Sequence, residues 1–203
     1  MWRLLVGLGN PGSRYERTRH NVGFMALDRL AERHDLSPRQ EKFQSLIALG
    51  RIGGVAVLLA KPQTYMNLSG QAVGRIVEYF RVPPAQILVL HDDMDLAVGR
   101  LKVSASGGAA GHKGVASIIA CLGTDAFIRV RLGVGRPSDR IPAEHYVLSP
   151  FAPEEAELIG HVLILAAEAA ELFISQGVAA AQQRYNDRTT TAWPADRGGR
   201  TAD

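Results

Sequence analysis

Short apolar runs, each closed by turn residues and followed by a stretch of helical periodicity, organise this chain. Residues 4–8 form an apolar run ending in Gly7-Leu8-Gly9-Asn10-Pro11-Gly12, where glycine and proline stop a strand and leave a tight turn at its carboxyl end. From Asn21, in an N-cap position, Val22, Met25, Ala26, Leu30 and Ala31 recur at helical spacing. Residues 45–49 and 55–60 read as strands joined across Gly53-Gly54, a hairpin signal. A second helix is expected over residues 68–80, with Val73, Ile76, Val77 and Phe80 on one side, and Pro83-Pro84 breaks it. Residues 87–90 form a buried-strand candidate that delivers His91-Asp92-Asp93-Met94-Asp95 just past its carboxyl end. A short strand at 101–103 follows; a glycine-rich loop over 107–114 then feeds a helix through Ile118 and Ile119, and 127–134 alternates as a strand does. Residues 153–185 predict one or two alanine-rich helices interrupted at Gly177, and residues 187–203 a disordered polar tail.

Strands alternating with helices predict a single α/β domain over residues 1–186: a twisted, mixed, mostly parallel sheet with helices on both faces. Such sheets place ligands at the carboxyl ends of their strands, so the Asn10 and Asp92 turns are expected to face one cleft. The 203 residues, 46% of them hydrophobic, suffice for one core. Apolar runs such as 55–60 have strand length, below the roughly 20 residues of a membrane-spanning helix, so no membrane partner is expected. Met1-Trp2-Arg3 leads directly into a strand without the order of a secretory signal, and the expected location is the cytoplasm. Cys121, the only cysteine, rules out an internal disulfide and a cysteine-based zinc site, and is expected as a small core residue. The net charge of +3 and pI near 9.2 are compatible with a polyanionic partner without selecting one.

Several familiar motifs fail on spacing. The first glycine cluster is one residue off G-x-G-x-x-G, the loop over 107–114 lacks the Walker spacing and its Lys-Ser/Thr ending, and no G-x-S-x-G elbow occurs. The cluster around Asp92, Asp93 and Asp95 offers hard oxygen ligands, but neighbouring side chains at a strand end alternate in direction and do not converge on one ion. It is otherwise an exposed acidic turn, or one carboxylate turns inward and accepts from a histidine, fixing its tautomer and raising its basicity. That third reading needs a partner: His20 ends the loop after the first strand, and His112 in the glycine-rich loop is the second candidate. Asn10 and Asn67, placed where strands give way to turns, can donate to a carbonyl oxygen or simply form turns. With His20 and Asp92 they suggest a hydrolase that activates water without a covalent nucleophile.

The same segments resemble the bacterial peptidyl-tRNA hydrolase family in order and spacing. The match rests on Val6-Gly7-Leu8-Gly9-Asn10-Pro11-Gly12, Tyr15, Thr18-Arg19-His20-Asn21-Val22-Gly23, Lys61-Pro62-Gln63-Thr64-Tyr65-Met66-Asn67-Leu68-Ser69-Gly70, His91-Asp92-Asp93-Met94-Asp95-Leu96, Gly111-His112-Lys113-Gly114 and Arg129-Val130-Arg131-Leu132-Gly133. The resemblance implies a monomer that cleaves the ester between a peptide and the terminal ribose of tRNA, with neither metal nor organic cofactor. It implies His20 as general base, Asp92 as the carboxylate that orients it, and Asn10 as a selector of blocked over free aminoacyl groups. Asn67 would bind near the scissile ester, Tyr15 and Tyr65 would line the site, and Arg131 would contact an acceptor-stem phosphate. Residues 137–151 and the helix after them would form a movable gate over the cleft.

Four positions depart from that pattern: Lys113 stands where many members carry asparagine, Ala109-Ala110 where some carry His-Gly, and Ser104 at a position often occupied by a phosphate-clamping lysine. Lys113 donates a hydrogen bond but cannot accept one, and is expected to contact a tRNA phosphate or the substrate carbonyl; Lys102 or Lys113 would supply the charge absent at Ser104. The alternative from another class is a noncatalytic RNA-binding protein on the same fold, which would have no need of both His20 and Asp92.

Overall fold

The computed structural model describes residues 1–137 and 140–186; the tail expected over 187–203 lies outside the described residues. Seven strands form one sheet: β1 (Arg3–Gly7), β2 (Gln40–Lys42), β3 (Ser45–Ile52), β4 (Val55–Pro62), β5 (Ile87–Asp93), β6 (Leu101–Ser104) and β7 (Ile128–Gly133). Their spatial order is β2-β3-β4-β1-β5-β7-β6. The four central strands β4, β1, β5 and β7 pair in parallel, and the flanking pairs β2·β3, β3·β4 and β6·β7 are antiparallel. The sheet is mixed as expected, with its parallel part confined to the middle, where helical crossovers cover both faces.

The helices are α1 (Val22–Arg33), α2 (Ser69–Phe80), α3 (Lys113–Leu122), α4 (Ala143–Val147), α5 (Ala156–Gln176) and α6 (Val178–Tyr185). Strand periodicity distributes them. Leu59, Leu5, Leu88 and Ile128 lie in register across four strands and join one core cluster with α1, α5 and α6. Their neighbours Leu58, Leu4 and Ile87 point the other way, into a second cluster with Val73 and Ile76 of α2 and Val115 and Ile118 of α3. Each such fully buried leucine contributes about 2 kcal/mol, and a one-residue slip of β1 would exchange the two sets.

The β3–β4 hairpin turns on Gly53 and Gly54 at φ 56° and 81°, the two positive values that a type I′ turn requires. At Gly23 a side chain would put its first carbon 2.3 Å from Leu90 O and 2.6 Å from Leu8 O. That absence of a side chain lets α1 begin directly against the ends of β1 and β5, and brings the 3₁₀ turn Arg19–Asn21 to the carboxyl edge of the sheet.

Some expectations fail locally. Asn21 does not cap α1 with its side chain; its amide instead accepts from Asn10 N at 2.9 Å and donates to Asn10 O at 3.0 Å, tying two loops together. Cys121 is exposed, because the buried face of α3 is carried by Gly114, Val115 and Ile118. The acidic segment is not an exposed turn, since Asp92 and Asp93 are buried. Strand β2 and helix α4 carry too few apolar positions to show in the pattern. Residues 153–176 form a helical stretch of 24 residues that contains an 18-residue window of mean hydropathy 1.8, long and apolar enough to cross a membrane, which the strand-length runs do not suggest. Half of that apolar window is buried inside the fold, where α5 packs on α1, α6, β6 and β7.

Candidate active site

The carboxyl ends of β1, β4 and β5 open into a cleft of about 810 Å³, closed on its other sides by the glycine-rich loop before α3 and by α4. At its floor Asp92, buried at the end of β5, accepts from His20 Nδ1 at 2.8 Å and from His112 Nε2 at 2.8 Å, both on Oδ1. The tautomer of His112 is fixed from outside: its Nδ1 accepts from Gly114 N at 3.1 Å and Val115 N at 3.2 Å as the N-cap of α3, so its proton lies on Nε2 and points at Asp92. For His20 the argument is the carboxylate alone: Asp92 only accepts, which puts the proton on Nδ1, so in the neutral imidazole the lone pair lies on Nε2. Burial alone would push the Asp92 pKa up, but the adjacent His112 and His20 outweigh it and hold the carboxyl far below its usual range.

His91 precedes Asp92 on β5 and packs edge-on to His112 with ring centroids 4.8 Å apart. Its Nδ1 donates to Asp92 O at 2.7 Å, and its buried Nε2 has no protein partner. Burial first, then the neighbouring His112, pushes its pKa down to about 3, so this imidazole is neutral near pH 7.

Another part of the cleft lining comes from the segment after β4. Asn10 Oδ1 accepts from Met66 N at 2.8 Å, which seats the 3₁₀ turn Met66–Leu68 and leaves the Asn10 amide N–H groups to donate. Asn67 and the exposed Tyr65 line the cleft beside it. Of the sequence candidates, His20, Asp92, Asn10, Asn67, Tyr65, Lys113 and Arg131 all line this one cleft. Tyr15 is not among the lining residues; it sits on the 3₁₀ turn Ser13–Tyr15, with the Arg14 guanidinium over its ring.

The cations are engaged within the chain. Lys113 Nζ contacts Glu144 Oε1 of α4 at 2.5 Å, with both groups largely exposed, and Arg131 Nε pairs with Asp93. Lys102 stands directly across from Arg131 in the β6·β7 register, two pairs along from Ser104 and Arg129. Arg129 donates to Gly108 O at 2.7 Å and also to Gly107 O, pinning the glycine-rich loop.

The acidic side chains diverge: Asp92 meets two histidines, Asp93 meets Arg131 and Asp95 meets Arg136. His20, Asp92 and His112 bring possible ligand atoms within 4.8 Å of one another, the one such cluster among the described residues. Both imidazole nitrogens there already direct protons at the carboxylate at hydrogen-bond length.

The sequence offers His112 as a second candidate without assigning it to Asp92; its place in the glycine-rich loop directly before a helix is the available signal. Met66 and the α4 residues Glu144 and Val147 were not singled out. They reach the cleft through contacts between distant segments, which periodicity does not report.

Comparison with known proteins adds an independent line. Residues 4–192 match the family model described as peptidyl-tRNA hydrolase. A peptidyl-tRNA hydrolase of Chloroflexus aggregans is 49% identical over 187 residues, covering 92% of this chain and 99% of its own length. One of Symbiobacterium thermophilum is 48% identical over 188 residues, covering 92% and 100%. The crystal structure of a peptidyl-tRNA hydrolase from Acinetobacter baumannii aligns with a TM-score of 0.86 at 34% identity, over 90% of this chain and 93% of that one.

Proposed function

This chain belongs to the peptidyl-tRNA hydrolase family and hydrolyses peptidyl-tRNA, and on that premise we propose that His20 is the general base and Asp92 the group that orients it. The observation that carries this assignment is the 2.8 Å contact between His20 Nδ1 and Asp92 Oδ1 at the floor of the cleft. With its proton committed to Asp92, His20 takes a proton from water on Nε2, and the hydroxide formed attacks the ester carbonyl. The tetrahedral intermediate places negative charge on the former carbonyl oxygen, where the amide donors of Asn10 and Asn67 receive it. The C–O bond to the ribose then breaks, and imidazolium returns its proton to the leaving 3′ oxygen. No covalent enzyme intermediate is required, and the His20–Asp92 contact is the same before and after the cycle.

Asn10 selects a blocked amine by donating to the first peptide carbonyl, Tyr65 offers a ring to the terminal base or the peptide, and Arg131 with Lys113 holds the acceptor-stem phosphate at the cleft mouth. The enzyme thereby recycles tRNA from aborted translation, acting in the cytoplasm as a monomer without metal or organic cofactor. The internal packing of α5 supports the membrane-free part of this reading. The test is release of an N-acetylated amino acid from its tRNA, alongside the unblocked aminoacyl-tRNA, with chelator present throughout. Chelator-resistant cleavage of the blocked substrate alone is expected. Salt-sensitive binding of tRNA without cleavage would leave the noncatalytic RNA-binding reading in its place.

A further inference from the structure

We propose that Arg19 is a positioning residue that holds α4, one wall of the cleft, against the turn that carries His20. A buried guanidinium is costly unless its donors are met, and Arg19 is 6% exposed. Its Nη1 donates to Glu155 Oε1 at 3.0 Å and to Val134 O at 3.1 Å, and its Nη2 to Glu155 Oε2 at 2.6 Å, while Nε is buried without a hydrogen-bond partner. The guanidinium carbon lies 4.4 Å from the Tyr146 ring centre and 4.9 Å from that of Phe151. The main chain adds to this: Arg19 N donates to Ser149 O at 3.0 Å, and Thr18 bridges antiparallel to Pro150.

Four segments therefore converge on one side chain. Val134 follows β7, Tyr146 belongs to α4, Phe151 follows it, and Glu155 ends the 3₁₀ turn Pro153–Glu155 that leads into α5, accepting from Ala152 N at 2.7 Å. Tyr146 closes the arrangement by donating from its hydroxyl to the same Val134 O at 2.7 Å. Only a planar cation can lie against aromatic faces while reaching both carboxylate oxygens and a carbonyl in its own plane; an ammonium is a point charge and cannot. Helix α4, of five residues, has little stability of its own and depends on these contacts for its place.

The consequence for the reaction follows from what each partner holds. His20 is fixed separately by Asp92, so losing the Arg19 contacts leaves the base in position. Glu144, Val147 and Leu148 line the cleft from α4 and its end, so the same loss removes part of the substrate's bed. Arg19 acts on substrate binding, and the base does not depend on it.

The inference rests on the hydrolytic reading above, and two measurements separate the two claims. Arg19→Lys and the milder Glu155→Gln are compared with wild type in cleavage of N-acetylated aminoacyl-tRNA and in backbone hydrogen exchange. Both variants are expected to raise KM about tenfold, the factor that corresponds to one lost charge-assisted hydrogen bond, with kcat within about threefold of wild type. The amides of Tyr146 and Ser149 should exchange faster, while that of Ala116 in α3 is unchanged. Folded variants with wild-type KM, or with a fall in kcat alone, overturn the proposal. If wild type itself fails to cleave, the hydrolytic reading falls, and unchanged exchange at Tyr146 and Ser149 still overturns the clamp.

Discussion

His112 donates from Nε2 to Asp92 Oδ1 at 2.8 Å, the same oxygen that takes His20 Nδ1. The carboxylate proposed to orient the base is thus anchored by a second imidazole, which is itself held by the first turn of α3. Asp92 is consequently fixed from both sides.

Replacing Asp92 by asparagine removes the charge that keeps the His20 proton on Nδ1, because an amide can also present a donor to that nitrogen. The expected result for Asp92→Asn is a fall in kcat of about 100- to 10,000-fold with little change in KM. Steady-state kinetics on an N-acetylated aminoacyl-tRNA checks it; a kcat within a few-fold of wild type would leave Asp92 without the orienting role.

His112 combines two duties that substitution can separate. Asparagine at this position retains a side-chain acceptor for the N-terminus of α3 but is too short to reach Asp92, and alanine does neither. Both His112→Asn and His112→Ala should lower kcat about tenfold, the size of one hydrogen bond to a charged group. Only the alanine variant should also lose stability, by about 1 kcal/mol. Thermal unfolding run beside the kinetics distinguishes them, and equal stability losses would refute the separation.

His91 makes the fold sensitive to acid. Its folded pKa of about 3 lies below the ordinary value of 6.5, so between those values the unfolded chain binds a proton that the native chain excludes. The corresponding stability is intact above pH 6.5 and is lost as pH falls toward 3. From pH 7 to pH 5 this one group accounts for about 2 kcal/mol, at 1.36 kcal/mol per pH unit of linkage. Urea unfolding at the two pH values should show wild type losing that much more than His91→Phe, and parallel losses would contradict it.

Lys113 and Glu144 meet across the mouth of the cleft at 2.5 Å, and Lys113 holds the Glu144 pKa below its usual value through hydrogen bond and charge. If Lys113 contacts a tRNA phosphate, Glu144 competes for it. Lys113→Ala should weaken tRNA binding and reduce the slope of log affinity against log salt by about one, whereas Glu144→Gln should strengthen binding. Titrations of tRNA at several salt concentrations decide this, and a Lys113→Ala variant with wild-type affinity and slope removes the phosphate contact.

The sequence made much of this architecture legible because the sheet is built from short apolar runs of period two, ended by glycine and proline at the places where the site lies. The hairpin at Gly53-Gly54 and the break at Gly177 were readable for the same reason, since backbone chemistry is written locally. What escaped is what distance decides. Asn21 has the composition of a cap, but a nearby loop offered its amide two better partners on Asn10. Cys121 is apolar enough for a core, and only the orientation of α3 turns it outward. Tyr15 carries a motif position but lies off the cleft, and the packing of Arg19 between Tyr146 and Phe151 joins residues more than a hundred positions apart.

The assignment of the base is tested most directly by single-turnover cleavage of a saturating N-acetylated aminoacyl-tRNA by His20→Ala, with tRNA affinity measured on the same preparation. A rate reduced about 100- to 10,000-fold at unchanged affinity is the predicted result. A rate within a few-fold of wild type, at equal affinity, would contradict the claim that His20, held by Asp92, activates the water.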